Sequence, residues 1–126
     1  NQIERFIRIA DWAYSIVKDC DQILIEDYAM GSRGKVFHIA ENTAILKYRF
    51  HTHQLRWGAL PPMSLKKFAS GKGNSDKEKM YAAFLEDAKI DLKKLFNSKG
   101  DKITNPISDI VDSYYLAKYL KTNPLE

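Results

Sequence analysis

The stretch QILIEDY, residues 22–28, determines how the rest of this chain is interpreted. Ile23, Leu24 and Ile25 form a short apolar run that leads directly into the carboxylate of Glu26. A continuous run of this kind is typical of a buried strand in a parallel sheet. We therefore predict a strand over residues 22–28 that presents Glu26 to a site at its carboxyl end.

Helices surround this strand in the predicted order of elements. The segment over 2–19 is amphipathic, and its helical spacing favours one apolar core face. That face contains Ile3, Phe6, Ile7, Ala10, Ala13, Ile16 and Val17. The later elements are a helix over 34–51, a strand over 54–60, a helix over 65–69 capped by Ser64, a helix to 88 capped by Asn74 or Ser75, a continuation or short helix over 90–96, and a last helix opened by Asn105-Pro106. A helix that leads into a buried strand indicates an α/β fold.

Composition limits the class of protein. The 126 residues predict one domain over 1–126, and 44% apolar with 29% charged residues is ordinary for a soluble globular protein. No apolar run approaches the roughly 20 residues that cross a bilayer. A single cysteine, Cys20, excludes an internal disulfide and favours a reducing cytoplasm. The net charge of +4 permits a nucleic-acid partner without requiring one.

Two basic segments are candidates for binding phosphate. Residues 70–74, SGKGN, place a lysine between two glycines, so that the backbone approaches a ligand closely and the lysine supplies charge. The spacing differs from that of a phosphate-cradling Walker loop, and an ordinary charged loop is the alternative. Arg33 and Lys35 lie at the start of the second helix, where a phosphate is favoured, although a solvated first turn is equally compatible.

An acidic pair lies near the other end of the chain. Asp109 and Asp112 are three residues apart on a predicted helix and therefore share a face. Like charges on a half-buried face repel each other, and a hard divalent cation offsets that cost. Oxygen ligands of this kind suit Mg²⁺ or Mn²⁺. The alternative is that one Asp is only a solvated or capping residue, since Ser108 and Asp109 lie in the first turn, where acids are favoured.

Three segments, taken in order, resemble a known family. They are ILIEDYA over 23–29, PMSLKKFASGKGNSDK over 62–77 and DIVDSYYLA over 109–117. Together they are similar to the RuvC-type Holliday junction resolvases, especially the short phage-like members. The resemblance implies a ribonuclease-H-like α/β fold, with a central sheet flanked by helices, and a metal-dependent endonuclease of branched DNA that works as a homodimer.

The resemblance also implies a role for each acid. Glu26 matches the second acid of the family, and Asp109 and Asp112 match its last pair. These three acids are expected to bind Mg²⁺ or Mn²⁺ for two-metal hydrolysis of a phosphodiester. The family's first acid has no match, because the chain begins at Asn1 where the family's first helix begins. The N-terminal strands of the family are therefore expected to be missing from this sequence.

DNA is the expected partner, in the cytoplasm of a bacterium or of a phage-infected cell, with no membrane involved. The residues expected to contact phosphates are Arg33, Lys35, Lys66, Lys67, Lys72 and Lys77. Such contacts position a substrate without reading its sequence. Two alternatives remain open: a non-catalytic module that binds branched DNA, and another ribonuclease-H-like nuclease acting on RNA–DNA hybrids or flaps.

Overall fold

A computed structural model describes residues 1–28 and 36–126 of the chain. Within these ranges the structure has six helices and two strands. They are α1 (Gln2–Val17), β1 (Ile23–Glu26), α2 (Val36–Thr52), β2 (Trp57–Leu60), α3 (Pro62–Ser70), α4 (Lys77–Ala88), α5 (Leu92–Leu95) and α6 (Ile107–Thr122). The predicted α/β class is confirmed. The elements group into two compact units: the first unit is Asn1–Pro61 with Asn123–Glu126, and the second unit is Pro62–Thr122.

A small parallel sheet lies in the first unit. β1 and β2 pair in register from Ile23 opposite Trp57 to Glu26 opposite Leu60. The predicted strand over 22–28 is therefore confirmed, although only its four central residues form it. Pro61 directly follows β2, and a residue without an N–H cannot extend the ladder.

Helix α1 lies against α2 in the same unit, and its predicted apolar face is only partly buried. Asn1 caps the helix, and its side chain accepts a hydrogen bond from the Glu4 N–H at 2.9 Å. Phe6 and Ala10 are the residues of α1 that are fully buried. Three residues of the predicted apolar face, Ile3, Ile7 and Ile16, are exposed, whereas Ala13 and Val17 are half-buried. The covered part of α1 therefore centres on Phe6 and Ala10, which are one helical turn apart.

Three helices form the core of the second unit. α3, α4 and α6 contact one another, and the fully buried side chains at their centre include Leu65, Phe84, Val111 and Tyr115. The Phe84 ring packs edge-on against Tyr114, with ring centroids 5.1 Å apart. Among the helices that the structure describes, none combines the length and the apolarity needed to cross a membrane.

Two predicted helix caps in the second unit are wrong. α3 begins at Pro62, so Ser64 lies inside the helix and does not cap it; the fixed φ of proline suits a first helical turn. α4 is capped by Asp76, whose carboxylate accepts a hydrogen bond from the Lys79 N–H at 2.9 Å. Ser75 is buried instead. Both Ser and Asp are favoured caps, so composition alone did not distinguish them.

Candidate functional site

Helix α6 presents the predicted acidic pair. Its inner face is buried through Ile107, Ser108, Val111 and Tyr115. Asp112 is half-buried at the border of that face, whereas Asp109 is exposed in the first turn. Both acids lie on α6, where residues three apart share a face, and their joint binding of a metal ion stays a prediction.

The Asn105 side chain contacts Asp109 just before α6. When the amide nitrogen faces the carboxylate, it lies 3.2 Å from each Asp109 oxygen and 2.5 Å from Ser108 Oγ. This orientation gives the carboxylate a hydrogen-bond donor, so it is the one that the surroundings favour. In the sequence, Asn105 is recognisable only as part of the Asn105-Pro106 step before the last helix. An Asn four residues before an acid is the signal that could have indicated this contact.

A hydrogen-bond network joins α6 to α4. Tyr115 is 1% exposed, and its hydroxyl donates to Asp87 Oδ2 at 2.7 Å. Lys118 Nζ reaches the same oxygen at 3.3 Å. Burial, followed by the Asp87 contact, raises the pKa of Tyr115 well above its ordinary value. The hydrogen bond from Tyr115 lowers the pKa of Asp87. The network therefore holds the buried face of α6 against α4, three residues from Asp112 in the chain.

The first unit places Glu26 where the sequence predicts it. Glu26 is the last residue of β1, and its side chain is exposed at the carboxyl end of the strand. The next residue, Asp27, is half-buried, and its carboxylate lies 3.4 Å from Lys47 Nζ. Lys47 Nζ also lies 5.5 Å from the centre of the Tyr28 ring. Lys47 thus pairs with Asp27, and Glu26 lies at the exposed carboxyl end of the strand.

The chemistry of these acids suits a hard divalent ion, since carboxylate oxygens are the ligands that Mg²⁺ prefers. The described residues, 1–28 and 36–126, contain no group of three or more His, Cys, Asp or Glu side chains that could hold a metal ion. Glu26 belongs to the first unit, and Asp109 and Asp112 belong to the second. A metal site built from all three acids therefore stays a prediction.

The lysine-glycine segment forms a tight loop between α3 and α4. Gly71 has φ +87°, a backbone conformation that L side chains rarely adopt. A Cβ on Gly73 would lie 2.7 Å from Met63 Cγ, so glycine lets the loop approach α3 closely. The glycines are thus required by the fold of the loop, and the predicted close approach of this backbone to a ligand stays a prediction.

Two serine hydroxyls hold this loop in place. Ser75 is only 2% exposed, and its Oγ lies 2.5 Å from Ser70 Oγ. Ser75 Oγ also lies 3.0 Å from the Lys72 carbonyl oxygen, and Ser70 Oγ lies 2.9 Å from the Lys66 carbonyl oxygen, so the two hydroxyl protons are shared among these three contacts. The contacts tie the loop to the last turn of α3. The backbone that carries Lys72 is consequently fixed at both ends.

The predicted phosphate contacts lie on several elements. Lys66 and Lys67 lie on α3, Lys72 lies in the loop, and Lys77 opens α4. Arg33 and Lys35 lie outside the described residues. The structure adds Lys79, which lines one groove together with Lys72. The crowding of lysines over 66–79 was the available signal for this residue.

Charge is divided unequally between the two units. The first unit has eight lysines and arginines and eight acids. The second unit has twelve lysines, no arginine and eight acids. The whole net charge of +4 therefore belongs to the second unit.

Comparison with known proteins identifies the fold. No protein-family model matches the sequence, and no curated protein matches it. A structure of Thermus thermophilus RuvC matches with a TM-score of 0.66 and 12% identity, over 98% of this chain and 71% of that chain. T. thermophilus RuvC in complex with a Holliday junction substrate matches with a TM-score of 0.64 and 14% identity, over 95% and 70%. At this identity the likeness concerns the fold, and the chain shares the fold of RuvC.

Proposed function

We propose that residues 1–126 form one RuvC-like domain of the ribonuclease-H-like class that cuts four-way DNA junctions. The observation that carries this proposal is the likeness of fold to RuvC over 98% of the chain. One of the matching structures is a complex with a Holliday junction substrate. The three sequence segments that resemble the phage-like resolvases support it independently. The domain would work as a homodimer in the cytoplasm of a bacterium or of a phage-infected cell.

Three acids are the proposed ligands of the catalytic ions. Glu26, Asp109 and Asp112 would hold Mg²⁺ or Mn²⁺, which supplies an activated water and charge stabilisation when bound. The carboxylates act as ligands in this proposal, so no side-chain nucleophile is needed. Asn105 would keep the Asp109 carboxylate oriented, because its amide lies within hydrogen-bond reach of both oxygens.

Lysines are the proposed contacts with the DNA backbone. Those of the second unit are Lys66, Lys67, Lys72 and Lys77, and Arg33 and Lys35 would add contacts from the first unit. Phosphate contacts fix the position of the DNA and carry no sequence information directly. Recognition of a branch by shape is compatible with such contacts. The binding affinity should fall steeply as salt rises, because each contact releases counterions.

Nicking of a labelled four-way junction by the whole chain, with Mg²⁺ or Mn²⁺ and with EDTA, tests the catalytic proposal. We expect nicks only with metal, and their loss in Asp112→Asn and in Glu26→Gln. Asp19→Asn is the matched control, because Asp19 is exposed and lies on neither α6 nor β1. Titration calorimetry with Mg²⁺ or Mn²⁺ alone should show weaker binding in the first two variants than in the control. Cutting that persists in the double variant would refute the assignment of the acids.

A second candidate function has one observation in its favour. No group of three metal-binding side chains is found among residues 1–28 and 36–126. A RuvC-like domain without a complete metal site would bind branched DNA without cutting it. Junction binding with no nicks in either metal would support this function, whereas metal-dependent nicks would exclude it. Parallel assays on flaps and RNA–DNA hybrids separate both candidates from other ribonuclease-H-like nucleases.

A further inference from the structure

A groove of about 430 Å³ runs along one side of α4 in the second unit. Its wall on the loop side comes from Ser70, Lys72 and Ser75, and its floor includes the small residues Ala82 and Ala83. The two ends of the groove carry opposite charges. Lys79 lies on the first turns of α4, and Glu86 and Asp87 lie near its last turn.

The basic end is organised for an anion. Neither the Lys72 nor the Lys79 ammonium forms an ion pair with another residue of the described ranges. The hydroxyl pair of Ser70 and Ser75 fixes the loop that carries Lys72. A lysine near the first turn of a helix also opposes the helix dipole, which is a local cost in the absence of a ligand. An anion in the groove would meet the positive charge of both lysines, which line it.

The acidic end of the groove disfavours phosphate groups. Asp87 is already bound to Tyr115 and Lys118, whereas Glu86 is exposed on the groove wall. Lys79 and Glu86 are seven residues apart, which is about 10.5 Å along a helix. A strand of B-DNA carries one phosphate for about every 3.4 Å of axis. A strand that followed α4 from end to end would therefore bring phosphates against Glu86.

We propose that this groove binds one phosphate of the DNA backbone between Lys72 and Lys79, at a point where the strand crosses α4 near its first turns. Glu86 repels a strand that runs along the helix, so the groove sets the direction of the DNA arm. The inference rests on the proposed function, since it assumes that the ligand is DNA. It adds Lys79 and Glu86 to the residues that interact with DNA.

Fluorescence anisotropy of the whole chain with a labelled four-way junction, measured over a range of salt concentrations, tests the groove. Lys79→Gln should weaken binding several-fold and reduce the salt slope by about 1, as the loss of one phosphate contact does. Lys79→Arg should restore both values. Lys121→Gln removes an exposed lysine of the same unit outside the groove and serves as the control.

A second pair of variants tests whether the acidic end of the groove repels DNA. Glu86→Gln should tighten binding more than Asp101→Asn, which removes an equal charge from another surface of the second unit. If Lys79→Gln and Lys121→Gln had equal effects while binding still depended on Lys66 and Lys67, the groove would not be a phosphate site. The proposed function would then remain intact. A parent chain that binds no DNA would overturn both.

Discussion

The first unit has equal numbers of basic and acidic residues, whereas the second unit has twelve lysines against eight acids. The first unit contains the parallel sheet and Glu26, and the second is built from helices and contains Asp109 and Asp112. The mild overall net charge of +4 therefore comes entirely from the second unit. This difference places the main expected source of DNA affinity in the second unit.

The largest effect concerns the core of the basic unit. Phe84 is 3% exposed, and Phe84→Ala should lower the free energy of unfolding by about 3–5 kcal/mol, because it leaves a cavity beside Tyr114. Trp12, on α1 of the first unit, is 66% exposed, and Trp12→Ala should change stability by only about 0.5 kcal/mol. Urea unfolding followed by circular dichroism measures both. Equal losses in the two variants would contradict the burial of these side chains.

The unequal charge of the two units can be tested with matched sets of variants. Changing Lys66, Lys67, Lys72 and Lys77 together to Gln should weaken junction binding on the order of 100-fold and reduce the salt slope by about 4. The control set removes four cations from the first unit: Arg5, Arg8, Lys18 and Arg56. Anisotropy titrations at several salt concentrations compare the sets. A control set as damaging as the lysine set would show that binding does not depend on the second unit.

The network between α4 and α6 predicts a response to acid. The pKa of Asp87 is lowered in the folded protein, chiefly by the hydrogen bond from Tyr115. The stability that this carboxylate contributes is therefore present above its ordinary pKa of 3.8 and is lost as pH falls through the lower folded value. Tyr115→Phe should cost about 1–3 kcal/mol at neutral pH and make stability less dependent on acid.

Melting curves between pH 2 and pH 7 measure this response. Tyr48→Phe removes an exposed hydroxyl from α2 and leaves Asp87 untouched, so it controls for loss of a phenol. If both variants showed the same acid dependence as the parent chain, the contact between Tyr115 and Asp87 would not contribute to it.

The smallest effect concerns the start of α4. Asp76→Ala removes the side chain that accepts a hydrogen bond from the Lys79 N–H and should cost about 1 kcal/mol. Asp76→Ser retains a cap and should cost less. Thermal melting compares the two variants. A loss in Asp76→Ser that equals the loss in Asp76→Ala would argue against Asp76 as the cap.

The elements that were predictable are those with a strong local pattern. The apolar run before Glu26 indicated β1, and the Asn105-Pro106 step indicated the start of α6. The cap of α4 was not predictable, because Ser75 and Asp76 are both good caps and only tertiary packing buries one of them. The exposure of Ile7 was missed because periodicity identifies a face without showing how much of it another element covers.

The candidate site also has features that were predictable from the sequence and features that were not. The placement of Asp109 and Asp112 on one helix was predictable from the sequence, because the last helix has a clear start and apolar spacing. The contacts of Asn105 with Asp109 and of Tyr115 with Asp87 depend on loop geometry and on packing between helices. Contacts between residues as far apart in the chain as Asp87 and Tyr115 leave no regular period in a single sequence.

Competition between a four-way junction and a linear duplex of the same length for the whole chain tests the central claim most directly. Measured in EDTA, this experiment separates recognition from cutting. We predict that the junction is bound at least about tenfold more tightly at moderate salt, because contacts to branched backbones add to those that any duplex provides. Equal affinity for the two DNAs, or no binding to either, would contradict the account.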